Sequence, residues 1–377
     1  MNILFLCGSL EPGCDGVGDY VRRLAGEFIR QGHKAAALAL NDQHLEWELL
    51  GVQEIEGLEL PVLRVPANWS GRRRFGRAKE WIQDFDPDWL SLQFVPFSFH
   101  PKGLSLSLSS LLQNLGKDRS WHIMFHELWV GMEEEASLKH VWWGKLQKYL
   151  INSLLLTLKP KVIHTQSRLY QYYLTKIGFH SSILPLFGNI PNIRRGNSCF
   201  VSEASGISNQ NKNLSFILFG AVQKGAPVEQ FTKELACYAN KGGVKVSLTL
   251  VGRCGVEQDT WIKAWRSEGL PLEILGEQPI KEVSKALAQA TIGLSTTPAA
   301  QIEKSGSVAA MLEHNLPVVC VARSWIPRGV KVMNPTGVKE YQPGNLADCL
   351  LERCCINSAN KITDVSIQLS DSFSAID

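Results

Sequence analysis

Apolar and amphipathic segments alternate along almost the whole chain. Asn2 to Cys7 is a short apolar run of the kind that forms a buried strand, and Val17 to Arg30 has apolar residues at helical spacing. Lys34 to Leu40 is apolar again, so the opening predicts a strand, a loop, a helix and a second strand. Such a unit is the usual beginning of a doubly wound parallel sheet.

The alternation continues, stops at a polar stretch and then restarts. Further strands are predicted at Trp89–Phe94, Trp121–Phe125 and Lys161–His164, with helices near residues 104–115, 133–158 and 167–177. The stretch after Pro191 is rich in Ser, Asn and Gly, as in a linker. Beyond it we predict strands at Phe216–Phe219, Val244–Val251, Leu272–Leu275, Ile292–Leu294 and Leu316–Cys320, and helices at Pro227–Tyr238, at Trp261–Glu268, from near Pro279 and from Ser307.

This pattern predicts an α/β protein of two Rossmann-like, doubly wound domains joined around residue 195. The predicted ranges are 1–192, 193–345 and, for a C-terminal helix and tail, 346–377. One arrangement open to the tail is to pack back on the N-terminal domain. Because ligands of open parallel sheets bind at the carboxyl ends of the strands, we expect a ligand in the cleft between the domains.

Composition narrows the classes of function. The net charge of +3 among 377 residues does not indicate a nucleic-acid-binding protein. The nine cysteines are scattered without a C-x-x-C pair, which argues against a disulfide framework or a zinc site. No apolar stretch approaches the roughly twenty residues of a membrane span, and the N-terminus lacks the basic segment of a signal peptide. We therefore expect a cytoplasmic protein without a metal or cofactor.

Two charged segments each allow two interpretations. The run "GRRRFGRAKEW", with Arg72 to Arg74, is either a solvated helix start or a peripheral contact with an anionic membrane or an acidic acceptor. Asp84, Asp86 and Asp88 alternate like a metal-binding D-x-D motif. Pro87 and the apolar run that follows favour a turn that leads into a buried strand, so we predict no metal there.

Glycines and polar residues follow several of the predicted strands. Gly16 and Gly18 stand where the first helix begins, and a Ser-Gly-Ser turn at residues 305–307 opens a later helix. A helix N-terminus carries backbone N–H groups and positive potential, both of which favour an anion. His126 and Glu127 follow the strand that begins near Trp121, so a titratable pair is expected at the edge of the sheet. A histidine here is either a functional group or a structural one.

Taken together, these segments resemble the retaining GT-B glycosyltransferases of glycosyltransferase family four. The resemblance covers nearly the whole chain. It rests on "GVGDYVRRLAGEFIRQGHKAAALAL", "FHE", "LFGAVQKG", "LVGRCG" and "EKSGSVAAMLEHNLPVV", which follow one another in the family's order. The last resembles the family's E-x-F-G-x-x-x-x-E-A-M-A-x-G-x-P-V-V block. The resemblance implies transfer, with retention, of a sugar from a nucleotide diphosphate sugar.

Some residues of this chain match the family's motifs, and others depart from them. Lys224 matches a lysine that neutralises the donor diphosphate, whereas Ala221 stands where the turn has an arginine. Ala310 stands at the block's second glutamate, which holds the donor ribose in the family, and Asn315 replaces a glycine. Donor identity is therefore open.

The resemblance implies three groups of site residues. His126 and Glu303 are expected at the reacting centre. Donor-binding residues are expected to be Gly16, Gly18, Lys224, Arg253, Lys304, Ser305, Gly306 and Ser307, and acceptor-binding residues Asp15, Glu127 and Trp129. The acceptor is a small molecule, a lipid-linked molecule or a glycan. Two alternatives stay open: a non-catalytic subunit that binds nucleotide sugars, suggested by the missing arginine and glutamate, and a nucleotide-sugar epimerase.

Overall fold

A computed structural model of the protein describes residues 1–193, 213–351 and 361–375. It forms two compact units. The first comprises Met1–Pro185, Ile326–Val330 and Ile362–Asp377, and the second comprises Leu186–Trp325 and Lys331–Lys361. The linker predicted after Pro191 lies, from residue 194 to residue 212, outside the described residues. The domain ranges given above stay a prediction.

The first unit is built around an eight-stranded sheet. Its strands are β1 (Asn2–Cys7), β2 (Lys34–Asp42), β3 (Leu49–Ile55), β4 (Leu58–Pro66), β5 (Trp89–Phe94), β6 (Ser120–Phe125), β7 (Val162–Thr165) and β8 (Ser182–Ile183). Its helices are α1 (Gly16–Arg30), α2 (Gly71–Phe85), α3 (Pro96–Phe99), α4 (Leu108–Leu115), α5 (Leu138–Leu158) and α6 (Arg168–Lys176). The strand order is β3-β4-β2-β1-β5-β6-β7-β8, and every pair is parallel except β3 with β4.

The second unit holds a six-stranded parallel sheet. Its strands are β9 (Asn213–Phe219), β10 (Lys245–Val251), β11 (Leu272–Gly276), β12 (Ile292–Ser295), β13 (Val318–Cys320) and β14 (Val338–Glu340). Its helices are α7 (Val228–Gly242), α8 (Gln258–Ser267), α9 (Ile280–Gln289), α10 (Gly306–Glu313) and α11 (Leu346–Leu351), and a 3-10 helix spans Ala299–Lys304. The order β11-β10-β9-β12-β13-β14 is that of a Rossmann sheet, in which the order of successive strands reverses between the parallel neighbours β9 and β12.

The apolar runs that predict strands are buried on both faces. All five residues of β1 from Ile3 to Cys7 are buried, as expected for a central parallel strand with helices on both sides. The second unit has the same layering, with Phe216, Phe231 and Trp265 packed together in the core on one side of its sheet. The predicted α/β class and doubly wound organisation are confirmed.

The hairpin β3–β4 is an element that the sequence pattern did not reveal. Its strands pair antiparallel and are joined by Glu56 and Gly57, both with positive φ (48° and 80°). Two consecutive positive φ values suit the tight turn of a hairpin, where Asn-Gly or Asp-Gly is the usual signal. Glu-Gly is a weaker signal, which explains why the hairpin escaped prediction.

The C-terminal helix α12 (Ile362–Ser374) belongs to the first unit, whereas α11 belongs to the second. The ring of Phe373 stacks on Trp89 with centroids 4.2 Å apart, and Thr363 Oγ1 donates a hydrogen bond of 2.9 Å to Glu27 Oε1 on α1. Because an aromatic stack and a hydrogen bond both join it to the first unit, α12 is an integral part of that unit.

Candidate functional site

Three loops meet at the carboxyl ends of β9, β10 and β12 in the second unit. The Gly220 N–H donates to the Val251 carbonyl at 3.0 Å, which joins the first two loops. The Gln223 N–H donates to Thr296 Oγ1 at 2.8 Å, which joins the first loop to the third. These loops lie beside the reversal point between β9 and β12, where open α/β sheets bind their ligands.

Two glycines allow the backbone conformation and the close approach of these loops. Gly220 and Gly252 have φ of +83° and +88°, values that disfavour any other residue. A Cβ added to Gly252 would lie 3.5 Å from the Gly220 nitrogen, and one added to Gly220 would lie 3.7 Å from Ser307 Cβ. The two glycine turns and the start of α10 are therefore close neighbours.

The Ser-Gly-Ser turn opens a helix, as predicted. Ser305 is the N-cap of α10, yet its side chain makes no capping hydrogen bond. Its hydroxyl lies 3.1 Å from Ser307 Oγ and accepts a hydrogen bond from Thr297 Oγ1 at 3.4 Å. By contrast, Asp15 on α1 and Ser137 on α5 cap their helices with side-chain oxygens. Serine hydroxyls and a helix N-terminus thus lie together, a combination suited to a phosphate.

The charged donor-side residues differ in their surroundings. Lys224 is exposed in the turn that follows β9. Arg253, in contrast, forms a surface ion pair with Glu277 at 2.8 Å, and this guanidinium holds the pKa of the Glu277 carboxyl below its usual value. Glu303 and Lys304 are half-buried in the 3-10 helix before α10. Their predicted roles stay predictions.

One basic residue was missed by sequence reasoning. Arg323 follows β13, and a Cβ added to Gly225 would lie 3.5 Å from its Cβ. Gly225 directly follows Lys224 in the turn where Ala221 replaces the family's arginine. Arg323 is distant in sequence from this turn, so only the fold reveals the proximity.

Ala310, which stands at the position of the family's second glutamate, is surrounded by other parts of the second unit. Ala310 is fully buried, and a Cβ added to Gly188 would lie 2.7 Å from its Cα. The Gly188 N–H donates to Glu313 Oε1 at 2.9 Å. The segment around Gly188 thus packs directly on α10, and Ala310 leaves no open space for a carboxylate at this position.

The glycine loop of the first unit has a local structural explanation. Asp15 Oδ1 accepts hydrogen bonds from the N–H groups of Val17 and Gly18 at 2.8 and 2.9 Å. A Cβ on Gly18 would lie 2.5 Å from the Ser9 carbonyl oxygen, so helix α1 needs a glycine there. Gly16 begins this helix. Because a carboxylate already caps the helix, the geometry does not favour a donor phosphate at Gly16 and Gly18, and it gives Asp15 a capping role.

His126 is buried, and both of its ring nitrogens have protein partners. Nδ1 lies 2.6 Å from the amide nitrogen of Gln166, and Nε2 lies 2.8 Å from the amide oxygen of Gln93. The Gln166 amide therefore donates to Nδ1, and the proton on Nε2 is donated to Gln93. The ring also packs edge-on against Tyr20, with centroids 4.9 Å apart.

The hydrogen bonds of His126 continue through the sheet. Gln93 donates to Ser91 Oγ at 2.8 Å, and Ser91 Oγ lies 2.7 Å from His122 Nδ1. His122 Nε2 lies 3.1 Å from His164 Nδ1, and His164 Nε2 lies 3.4 Å from Ser372 Oγ on α12. With every ring neutral, one consistent direction of donation runs from Gln166 to Ser372. We call these seven residues the histidine chain.

Burial makes the three histidines of this chain hard to protonate. It lowers the pKa of His126 to about 3 and that of His164 to about 4, and it lowers the pKa of His122 well below the usual value. His126 is therefore neutral near pH 7 and offers neither ring nitrogen to a sugar. This geometry argues against proton transfer by His126 and favours a role in fixing the segment that it begins.

That segment carries the other predicted acceptor residues. Glu127 is half-buried, and its N–H donates to the Phe94 carbonyl at 3.4 Å. The ring of Trp129 lies 5.8 Å from that of Tyr173, and Lys148 Nζ of α5 lies 5.7 Å from the Trp129 ring. Both residues thus lie beside the carboxyl end of β6, and their contact with an acceptor stays a prediction.

Contacts in the structure help to decide between the two interpretations of each charged segment. Arg72 and Arg73 are exposed on α2, but Arg74 turns inward and donates to the Leu40 carbonyl at 3.0 Å. A membrane contact through Arg72–Arg74 could therefore involve only the first two. Asp86 ends α2 with φ of 52°, and Asp88 Oδ2 accepts a hydrogen bond from the Asn2 N–H at 2.7 Å, so the predicted turn is confirmed.

Neither a metal cluster nor a membrane-crossing helix occurs among the residues that the structure describes. Groups of three or more His, Cys, Asp or Glu side chains suited to a metal are absent from residues 1–193, 213–351 and 361–375. Within the same ranges, each helix is too short or too polar to cross a bilayer.

The chain was compared with known families, curated proteins and solved structures. No family model matches it, and no curated protein sequence matches it significantly.

Anabaena HepE, solved in complex with UDP and glucose, superimposes with a TM-score of 0.59 at 14% identity, covering 100% of both chains. The UDP-GlcNAc 2-epimerase of Neisseria meningitidis, bound to UDP-GlcNAc, gives 0.58 at 11% identity, also covering 100% of both. Starch synthase IV of Arabidopsis thaliana, bound to ADP and acarbose, gives 0.55 at 11%, covering 100% of this chain and 99% of that one. The protein has the GT-B fold.

Proposed function

We propose that this protein is a glycosyltransferase that uses a nucleoside diphosphate sugar as donor. The second unit would bind the donor, and the segment after β6 in the first unit would bind the acceptor. The observation that carries the proposal is the group formed by the two glycine turns, the exposed Lys224 and the start of α10. Backbone N–H groups, hydroxyls and a lysine offer a diphosphate the donors it requires.

The proposed residues would act chiefly on the leaving group. As the bond between sugar and diphosphate breaks, negative charge grows on the departing diphosphate and positive charge on the sugar. Lys224 and the N-terminus of α10 would stabilise the diphosphate, and Arg323 would supply a charge that Ala221 lacks. Glu303, in the 3-10 helix before α10, is proposed to contact the donor sugar. Retention and independence of a metal are parts of the proposal that rest on the resemblance to family four.

An epimerase is the second candidate, because UDP-GlcNAc 2-epimerases superimpose on this chain about as well as HepE does. A fold shared at this level of identity does not separate the two activities. The sequence motifs favour transfer, since they follow the order of family four. A non-catalytic subunit that binds nucleotide sugars would use the same site without turnover.

Nucleotide-sugar turnover tests the proposal. The purified protein is incubated with UDP-, ADP- and GDP-sugars, with and without a crude acceptor extract, and free nucleotide and sugar identity are measured. A transferase releases nucleotide steadily only with acceptor. Interconversion of the sugar without acceptor would identify an epimerase, and binding without any conversion would identify a non-catalytic subunit.

A further inference from the structure

Helix α5 has a second apolar face that nothing in its own unit covers. One face packs inward through Gly144, Gln147, Ile151, Leu154, Leu155 and Leu158. On the other side Leu138 is 79% exposed, Trp142 67%, Leu146 42%, Tyr149 67% and Leu156 59%. At 100° per residue these five side chains fall within an arc of about 80°. We call them the α5 stripe.

The charged residues of α5 itself are all positive. Lys139 flanks it on one side, and Lys145 and Lys148 flank it on the other. The sequence from Leu138 to Leu158 contains no Asp or Glu, and the nearest acidic residues in sequence, Glu133 to Glu135, precede the N-cap Ser137. Lys145 Nζ lies 4.3 Å from the centre of the Trp142 ring, so cationic and aromatic groups share one surface.

This combination matches an anionic bilayer surface. Trp and Tyr settle at the boundary between headgroups and acyl chains, Leu side chains enter it, and lysines along the edge attract anionic headgroups. At 21 residues the helix is about 30 Å long, enough to lie along a membrane surface. Its inward face is committed to the protein core, so it would lie on a bilayer and not cross it.

A loop fastened to α5 extends the same surface. Trp143 Nε1 and Gln147 Nε2 donate to the Lys102 carbonyl at 2.8 and 3.1 Å, and the loop that follows presents Leu106 with 74% of its surface exposed. Lys102 adds a further positive charge.

The inward face of α5, opposite the α5 stripe, contacts the proposed acceptor segment. The Val130 N–H donates to Gln147 Oε1 at 2.9 Å, and a Cβ on Gly144 would lie 2.0 Å from the Val130 carbonyl oxygen. Glycine at residue 144 thus permits direct contact between α5 and the segment that carries Glu127 and Trp129. A bilayer bound by the α5 stripe would lie on the other side of this helix, about 10 Å from that segment, which is one helix diameter.

We infer that α5 docks the protein on an anionic lipid bilayer and that, on the proposed function, the acceptor is a lipid-linked molecule. Docking by this helix needs no nucleotide, so it can be measured separately from turnover. Two other occupants, a second copy of this chain and another protein, are decided by the same experiment.

Vesicle flotation tests the docking. The protein is mixed with vesicles of neutral phosphatidylcholine, or of phosphatidylcholine with about one third phosphatidylglycerol, at low and high salt. We expect binding only to the anionic vesicles and release by salt. At about fivefold per lysine, the double variant Lys145→Gln/Lys148→Gln should bind about 25-fold more weakly, and Trp142→Ala/Tyr149→Ala at least tenfold more weakly.

Matched variants make the test specific. Trp47→Ala/Leu50→Ala removes two exposed apolar side chains elsewhere in the first unit, and Lys241→Gln/Lys245→Gln removes two exposed charges in the second. Both should bind vesicles like the unaltered protein. Equal binding to neutral vesicles, loss of binding in these controls, or a dimer in sedimentation that Trp142→Ala dissociates would each overturn the inference. Vesicle binding without nucleotide binding would overturn the proposed function and leave the docking intact.

Discussion

At the scale of single residues, the proposed diphosphate would contact two positively charged side chains beside the glycine turns. Lys224 lies in the turn after β9, and Arg323 reaches the same turn from the end of β13. A charge-assisted hydrogen bond to phosphate contributes more than a neutral one, so these side chains should dominate binding of the diphosphate and contribute little to binding of the nucleoside.

We predict that Lys224→Ala weakens binding of nucleoside diphosphate by about 1 to 3 kcal/mol and barely changes binding of the nucleoside. Arg323→Ala should act in the same direction. Isothermal titration calorimetry of UDP, ADP and GDP, with Lys233→Ala on α7 as an exposed control, measures the effect. Equal losses for diphosphate and nucleoside would contradict a phosphate contact.

For a substitution at Ala310, the structure and the sequence alone lead to opposite predictions. If its position were open, a glutamate there could bind the ribose; the structure instead has Ala310 fully buried against the backbone at Gly188. We predict that Ala310→Glu lowers the free energy of unfolding by about 3 kcal/mol, through overpacking and burial of a charge. Urea unfolding measures this, with Ala309→Glu, at a half-buried position on the same helix, as control. Tighter nucleotide binding with unchanged stability would show that the position is open.

Sequence reasoning located such residues along the chain but could not orient them. It correctly placed His126 at a strand end, yet the side chain turns inward because Gln93 and Gln166 bind both nitrogens. Gln93 lies in β5 and Gln166 follows β7. Because both are distant from His126 in the sequence, no local pattern predicts these contacts. The neighbours of Ala310 and Arg323 were hidden for the same reason.

At the scale of elements, the histidine chain joins β5, β6, β7 and α12 in the first unit. Its links are hydrogen bonds between neutral groups, each a donor toward the next. Adding a proton to any ring would give that ring two donors and leave one of them facing another donor. The chain should therefore hold these elements together only while all three rings are neutral.

Acid should destabilise the first unit between about pH 6.5 and 3. In the unfolded chain the histidines take up protons near their usual pKa of about 6.5, whereas the folded pKa is about 3 for His126 and about 4 for His164. The unfolded state then binds more protons, so stability is present above pH 6.5 and is lost as the pH falls. Each histidine contributes a slope of up to about 1.4 kcal/mol per pH unit.

Urea unfolding at a series of pH values checks this. His122→Gln should fold at pH 7.5 with reduced stability and should show a slope lower by about one histidine; His140→Gln, at an exposed position on α5 outside the histidine chain, is the control. An unchanged slope in His122→Gln would contradict a neutral buried ring at that position.

Elements were predictable where apolar runs or helical spacing were strong. The predicted strand at Asn2–Cys7 matches β1 and that at Trp89–Phe94 matches β5, residue for residue. The hairpin β3–β4 was missed because β3 lies at the edge, where Leu50 and Val52 are exposed and the burial pattern is weak. Exposed apolar residues on α5 were likewise indistinguishable from core residues before the fold was known.

At the scale of the whole molecule, a GT-B fold carries two separate sets of groups, one in each unit. The second unit holds the proposed diphosphate site at the reversal point of its sheet. The first unit has, after β6, a segment that begins at His126 of the histidine chain and is hydrogen-bonded to α5 through Val130. Fold alone does not select among transfer, epimerisation and simple binding, so the chemistry must be observed directly.

The most direct test follows the anomeric proton of the donor sugar by NMR. The protein is mixed with UDP-glucose, UDP-GlcNAc or GDP-mannose and a total lipid extract of the source organism, with Lys224→Ala as the comparison. We predict that one donor loses its anomeric signal while free nucleotide and a new lipid-bound glycoside form in equal amounts, more slowly in the variant. Conversion of the donor into a second nucleotide sugar, or a donor signal unchanged with every acceptor, would contradict it.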